Sequence, residues 1–579
     1  VECRPAAPDR VTALGAAAAL LWLVFCVAWF DAGAQWRPPA LAALPRLWWL
    51  VPALAAALVW LRGRWATLRG EPLPAGEWRA LLFMLLLAFL FRLPVVVGGA
   101  GVAVTADGAL SGIVALHARD GIERLVFVPH VPYSGSLKSH LTAPLALVLD
   151  PAVAFALVSV LFYLVYVAGL FRLARLVARP GAAVLAALYA AFSPAFVTRY
   201  SLSNDGNYVE VLAFSVWALW LAARAAAEDA ARPRLAFAAG LLLGLGFWCH
   251  ILAIIPLFAV AVFLVLVARL GAWRPLLALA AGWAIGYAPG WLWNGANGWE
   301  SFQYLIPGEA RTDAAEAGLA AVTSGLGEKL WLMVTDHWPV LMGYDTGYGV
   351  LVDRTLHGLA WVGVAAALFA GASTTRRAWR ERAWGPALLV LFAATNVAIA
   401  LVALPHVAGN PRYILFLMCV VPVMLADTFG ATVRRRVVLF VLIATGTVAS
   451  VAQVPGTLRA DVRWRRFVAD MEREGVRYCY TDFFLATRVN FLSGERIICS
   501  AKLGPTTTEY FFSYRERVER APDAAFIAVN RTSAGKLGDR LAQLGVGFER
   551  LDLMKPVLTR LSRKVDPAEL FPGHEFPLR

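Results

Sequence analysis

The stretch "FRLPVVVGGAGVAVTADGALSGIVALHARDG", residues 91–121, ends a long apolar run and sets a carboxylate, Asp107, just beyond it. After Asp107, Leu110, Ile113, Val114 and Leu116 recur at helical spacing, with Ser111, His117, Arg119 and Asp120 between them. That pattern predicts a helix lying in the membrane interface rather than a second crossing. Two more short pieces follow in "VPHVPYSGSLKSHLTAPLALVLDP", so the segment reads as a cap over a cavity with Asp107 at its mouth.

Working outward, the 579 residues are 60% hydrophobic and only 16% charged, with a mean hydropathy of +0.63. Repeated apolar runs of about 20 residues make the chain a polytopic membrane protein. They fall at roughly 11–30, 46–61, 80–98, 152–171, 181–199, 207–223, 234–250, 251–268, 276–293, 355–371, 385–404, 411–429 and 436–454, about thirteen crossings. The first run lacks a small-x-small cleavage site and is read as a span, not a signal peptide. The net charge of +14 would suggest nucleic acid in a soluble chain. Here the excess sits in short loops, in clusters such as Arg62, Arg64 and Arg69 or Arg434, Arg435 and Arg436. With the N-terminus cytoplasmic, every predicted inner loop is basic, so topology accounts for the charge and nucleic acid is excluded as a partner. The six cysteines form no CxxC pair. Cys479 and Cys499 share the polar C-terminal region, where a disulfide and free thiols are both open.

Three large segments then lie outside: 99–151, 294–354 and the residues after about 455. The tail alternates helix-like and strand-like pieces, which predicts a small α/β domain. The expected division is an N-terminal transmembrane hairpin over 1–79, a transmembrane catalytic module over 80–454 and an extracytoplasmic α/β domain over 455–579. Ionisable residues gather at the outer level from distant segments. Asp107, Tyr133, Lys138 and His140 come from the first loop. Arg199, Asp205 and Glu210 come from "VTRYSLSNDGNYVEV", His250 from a turn between runs, and Arg412 from "NPRYILF". Ionisable groups at span ends beside a cavity are functional candidates. A carboxylate can take the proton of an attacking hydroxyl, and cations can hold a departing phosphate. The 22 tryptophans suit an apolar tail and sugar faces. Each group also has a structural use: Asp107 as a helix cap, Asp205 in a turn, Lys138, Arg199 and Arg412 as interfacial anchors, His250 in the core, and Glu210 paired with Arg199.

"TADGALSGIVALHARDG" followed by "VPYSGSLKSHLTAPL" resembles the first outer loop of bacterial GT-C superfamily membrane glycosyltransferases, related to protein O-mannosyltransferases and lipid A aminoarabinose transferases. "FSPAFVTRYSLSNDGNYVEVLAF", "GLLLGLGFWCH", "GYAPGWLWNGANGWESFQYL", "NPRYILFLMCVVP" and "GVRYCYTDFFLATRVNFLSGERIIC" extend the likeness over most of residues 85–505. The resemblance implies a mainly α, GT-C-type helix bundle in the bacterial inner membrane, with its C-terminal domain periplasmic. It implies a polyprenyl-phosphate sugar donor and a glycan, lipid or protein acceptor, with Asp107 as catalytic base and Asp205 as a second acid. Relatives often carry another acid directly after the first. Here Gly108 follows Asp107, which leaves a divalent ion (Mg, Mn or Zn) open, and no other cofactor is called for. The rival readings are a transporter of lipid-linked sugars, an O-antigen polymerase or ligase, and a noncatalytic scaffold.

Overall fold

The structure, a computed structural model, describes residues 10–36, 71–103, 105–203, 206–229, 232–303, 325–343, 350–403, 411–503 and 509–570. The expected crossing at 46–61 lies outside them. In chain order the first helices are α1 (Arg10–Trp29), α2 (Ala75–Gly98) and α3 (Ala106–Asp120). A hairpin of β1 (Phe127–Val128) and β2 (Val131–Gly135) follows, then α4 (Leu137–Leu145), α5 (Pro151–Val177), α6 (Ala182–Ala191) and α7 (Ala195–Tyr200). Next come α8 (Tyr208–Ala227), α9 (Arg232–Cys249), α10 (Ile254–Ala268), α11 (Trp273–Gly286) and α12 (Ala288–Ala296). The bundle closes with α13 (Val350–Glu381), α14 (Trp384–Ala403), α15 (Val421–Phe429) and α16 (Val433–Arg473).

Seven helices among the described residues are long and apolar enough to cross a membrane, or up to nine if two bent pairs each count as one span. The chain is a multi-pass membrane protein. Part of the difference from the apolar runs comes from breaks that hydropathy does not register. The run at 181–199 stops at Ser193-Pro194 and becomes α6 and α7; ten residues of helix reach only about 15 Å. The run at 276–293 bends by 65° between α11 and α12, with Pro289 just past the bend. The run at 411–429 bends by 52° before α15, where Pro422 begins the new helix. Proline lacks the N–H that would carry a helix across such a break.

Two of the bundle helices meet backbone to backbone. A Cβ on Gly240 or Gly244 of α9 would run into the Leu279 or Trp283 carbonyl of α11, and one on Gly282 or Gly286 would strike α9 in return. Small residues four apart on both helices permit that approach where lipid gives no hydrophobic drive.

The last helix of the bundle, α16, has 41 residues, a length of about 60 Å, twice a hydrocarbon core. Its charged second half leads into a sheet, and the boundary expected near 455 falls inside it at Pro455. The remaining elements are β3 (Tyr478–Tyr480), α17 (Phe483–Leu492), β4 (Ile498–Ser500), α18 (Phe512–Arg520), β5 (Ala525–Ile527), α19 (Arg531–Gln543), β6 (Glu549–Asp552) and β7 (Pro556–Thr559). The sheet order is β4-β3-β5-β7-β6, parallel around β3 and antiparallel around β7. Cys479 and Cys499 are register partners on β3 and β4 and form a disulfide.

A core separate from that of the bundle joins this sheet layer to α3. Leu110, Ile113, Val114 and Leu116 share it with Phe467 of α16 and Val489 and Phe491 of α17. The helix that carries Asp107 in its first turn is therefore packed against the C-terminal segment.

Candidate active site

The N-terminus of α3 sets the position of Asp107. Thr105 is the N-cap; its Oγ1 accepts from the Gly108 N–H at 3.1 Å. Asp107 stands in the first turn and is exposed, so capping, its competing structural use, falls to Thr105. An acid there is also favoured by the positive end of the helix. Thr105 lines a cavity of about 170 Å³ together with Phe91, Thr198, Arg199, Gln453 and Thr457. Arg199 therefore lines the same cavity as the cap of the helix that carries Asp107. The exposed Arg199 guanidinium lies 5.2 Å from the Tyr200 ring centroid.

Tyr200 connects this cavity with a second cluster. Its ring lies 5.2 Å from that of Tyr208, which lies 5.0 Å from His250, and His250 is 5.7 Å from Tyr133. Arg412 rests over Tyr413 and interacts with Tyr208 and Tyr200. Three sequence candidates, Tyr133, His250 and Arg412, therefore come together here. Their scaffold is a bridge between Ser134 and His250 and the buried side chain of Asn207. The Asn207 amide donates to Ser134 Oγ at 3.1 Å, Gly135 O at 2.6 Å and Cys249 O at 3.0 Å, tying β2 to the ends of α8 and α9. Sequence reasoning missed Asn207. The signal was "NDGN": Asn207 has φ +53, a left-handed conformation that asparagine tolerates.

Other candidates lie elsewhere or are engaged. Lys138 and Glu210, both fully buried, form an ion pair at 2.9 Å. Glu210 therefore pairs with Lys138 and not with Arg199, and the charge of Lys138 is already neutralised. His140 is turned toward α1: its Nε2 lies 2.9 Å from Leu125 O, and Trp29 Nε1 donates to its Nδ1 at 3.4 Å. Burial pushes the His140 pKa down to about 4, so the ring is neutral at pH 7 and holds no phosphate by charge. Asp205 lies outside the described residues. Among those described, no group of three or more His, Cys, Asp or Glu side chains could hold a metal ion.

The far end of α3 is anchored by charge. His117 Nδ1 lies 2.6 Å from Glu123 Oε1 and its Nε2 3.0 Å from Glu495 Oε1; Tyr514 donates to that same Glu495 oxygen at 2.7 Å. Burial opposes protonation of His117, but the two carboxylates outweigh it and raise its pKa to about 9. An imidazolium thus fastens α3 to the residues after α17.

A family model described as dolichyl-phosphate-mannose-protein mannosyltransferase matches residues 141–293. Among solved structures the chain is similar to ArnT from Cupriavidus metallidurans bound to undecaprenyl phosphate, with a TM-score of 0.52 and 11% identity, covering 84% of this chain and 98% of that one. At that identity the likeness is one of fold. The Archaeoglobus fulgidus oligosaccharyltransferase AglB, in complex with an inhibitory peptide and a dolichol-phosphate, is similar at a TM-score of 0.46 and 13% identity, over 78% of this chain and 69% of that one. No curated protein matches the chain in sequence. The matched family segment contains Arg199, Asp205, Glu210 and His250, and leaves Asp107, Tyr133, Lys138, His140 and Arg412 outside it.

Proposed function

We propose that this protein is a GT-C glycosyltransferase that moves a sugar from a polyprenyl-phosphate donor to an acceptor hydroxyl at the extracytoplasmic membrane face, with inversion. The observation that carries this is Asp107: an exposed carboxylate, relieved of capping by Thr105, beside a cavity that also presents Arg199. Asp107 takes the proton of the acceptor hydroxyl as that oxygen bonds to the anomeric carbon. The bond from that carbon to the phosphate oxygen breaks on the opposite side, and the lipid phosphate leaves with the electron pair. Charge grows on the departing phosphate, so a fixed cation contributes most in the transition state. Arg412, set among Tyr200, Tyr208 and Tyr413 beside His250, is the group we assign to it. Asp205 is proposed as a second acid near the acceptor.

The location of the site on the outer face rests on the basic inner loops and on the Cys479–Cys499 disulfide, a bond that persists in oxidising compartments. A bacterial inner membrane with a periplasmic C-terminal segment fits both. Of the likeness to ArnT, bound there to undecaprenyl phosphate, we carry over the donor class.

A general base contributes about 100- to 10,000-fold to such a rate. Asp107→Asn, assayed for transfer of radiolabelled sugar from polyprenyl-phosphate donors, is expected to lose turnover on that scale while its melting temperature stays at the wild-type value. Unchanged turnover would reject Asp107 as the base.

A further inference from the structure

Three successive carbonyls, those of Arg124, Leu125 and Val126, lead from α3 into β1, and each accepts a hydrogen bond. The backbone N–H of Asp31, just past the end of α1, donates to Arg124 O at 3.1 Å, and Asp31 Oδ2 accepts from the Arg124 N–H at 2.5 Å. His140 Nε2 and Ser136 Oγ reach Leu125 O at 2.9 and 2.5 Å. Trp248 Nε1 and the Ser136 N–H donate to Val126 O at 2.9 and 3.0 Å. A stretch outside any helix or strand is thus fixed through its backbone groups.

The end of α1 governs two of these three anchors. Asp31 supplies the first directly. The second depends on Trp29, whose indole N–H, a donor only, lies 3.4 Å from His140 Nδ1. That nitrogen therefore accepts, the ring proton sits on Nε2, and Nε2 is the donor to Leu125 O. Phe30 is buried edge-on against His140, 5.0 Å between ring centroids, and against Trp248, 5.5 Å, so it also touches the third anchor. Lower on α1, Trp22 Nε1 donates at 3.0 Å to the Ile285 carbonyl, beside the bend between α11 and α12. The helix is therefore tied to the bundle independently of the loop.

What this clasp holds is the hairpin. β1 pairs with β2, and β2 brings Tyr133 to the His250 ring and bridges to His250 through Ser134. Gly135 lies so close to the Trp248 carbonyl that even a Cβ would collide with it, which leaves the hairpin no room to slide toward α9. α1 precedes both the stretch that carries the family likeness, residues 85–505, and the segment 141–293 matched by the family model.

We propose that the end of α1 is a positioning element: Asp31 and Trp29 fix the β1–β2 hairpin from outside and, through it, the place of Tyr133 beside His250. Positioning for transfer rests on the transferase reading above, whereas the clasp stands on its own contacts.

The test compares full-length wild type, Asp31→Ala, Asp31→Asn and Trp29→Phe in nanodiscs, by amide exchange and by transfer of radiolabelled sugar from polyprenyl-phosphate donors. Asp31→Ala should speed exchange over residues 124–136 while α9 keeps its wild-type rate. A displacement of about 1 Å costs up to about 100-fold in rate. On that scale kcat should fall with KM for the donor unchanged, as when an interaction made in the transition state is lost. Asp31→Asn, whose amide oxygen still accepts from the Arg124 N–H, should restore most of the rate. Trp29→Phe keeps the ring and removes only the donor, and should give a smaller loss of the same kind. Combined with Tyr133→Ala, Asp31→Ala should cost less than the product of the two single losses, because both act through one side chain. Unchanged exchange over 124–136 overturns the clasp. Faster exchange with unchanged kcat, or losses that multiply, overturn the positioning role. A wild type that transfers no sugar removes the transferase reading, and exchange alone then decides the clasp.

Discussion

The bundle interior and the junction above α3 both bury cations, and they treat them differently. In the bundle, Lys138 has one carboxylate and Arg92 has only hydroxyls, carbonyls and a ring. At the junction, His117 has two carboxylates and a proton that solution pH can remove. The contrast separates charges paired with carboxylates from a charge held only by neutral groups.

The largest effect expected from this contrast is at Glu210. Glu210→Gln leaves Lys138 charged and unpaired, which costs about 3–5 kcal/mol and should appear as a marked drop in melting temperature. Lys138→Met combined with Glu210→Met should recover much of it. Arg92→Met removes a charge instead of stranding one, and leaves Ser193, Ser201 and the Ala191 carbonyl with unmet hydrogen bonds, a loss of about 1–3 kcal/mol. Equal destabilisation by Glu210→Gln and Arg92→Met would break the comparison. The smallest effect is at the junction. Folded His117 keeps its proton up to about pH 9, against 6.5 for a free imidazole. Its contribution is therefore full below about pH 6.5 and is lost as pH rises through about 9. Amide exchange in α3 and α17 should quicken across that interval relative to exchange in α9, and His117→Gln should flatten the difference.

The helix after Asp107 was legible because Leu110, Ile113, Val114 and Leu116 keep helical spacing, and these residues face a single core. The tail's alternation of strand-like and helix-like pieces corresponds to β3 through β7 with α17, α18 and α19 between them. The breaks at Ser193-Pro194, Pro289 and Pro422 were not legible, because a sum of hydropathies passes over a bend that local proline chemistry imposes. Pairings across long separations were equally hidden. Lys138 is 72 residues from Glu210, and its charge suggested a phosphate ligand because nothing local points to its partner. Arg92 stands in the opening quotation and drew no attention, since a lone arginine near a span end reads as an anchor that reaches water. Its depth is visible only once α2 is placed against α6 and α7, whose Ala191 and neighbouring Ser193 and Ser201 enclose it.

The continuity of α16 has a mechanical consequence. It is one rod from the apolar bundle to the sheet, and Arg465 on its polar half grips Asp150, the cap of α5, through contacts of 2.9 and 3.1 Å. A thinner bilayer tilts long helices, and a tilt of the immersed half of α16 must swing the other half against that grip. Membrane thickness then becomes a lever on the segment packed against α3, so the same chain reconstituted in short-chain and long-chain lipids would hold the helix that carries Asp107 under different load.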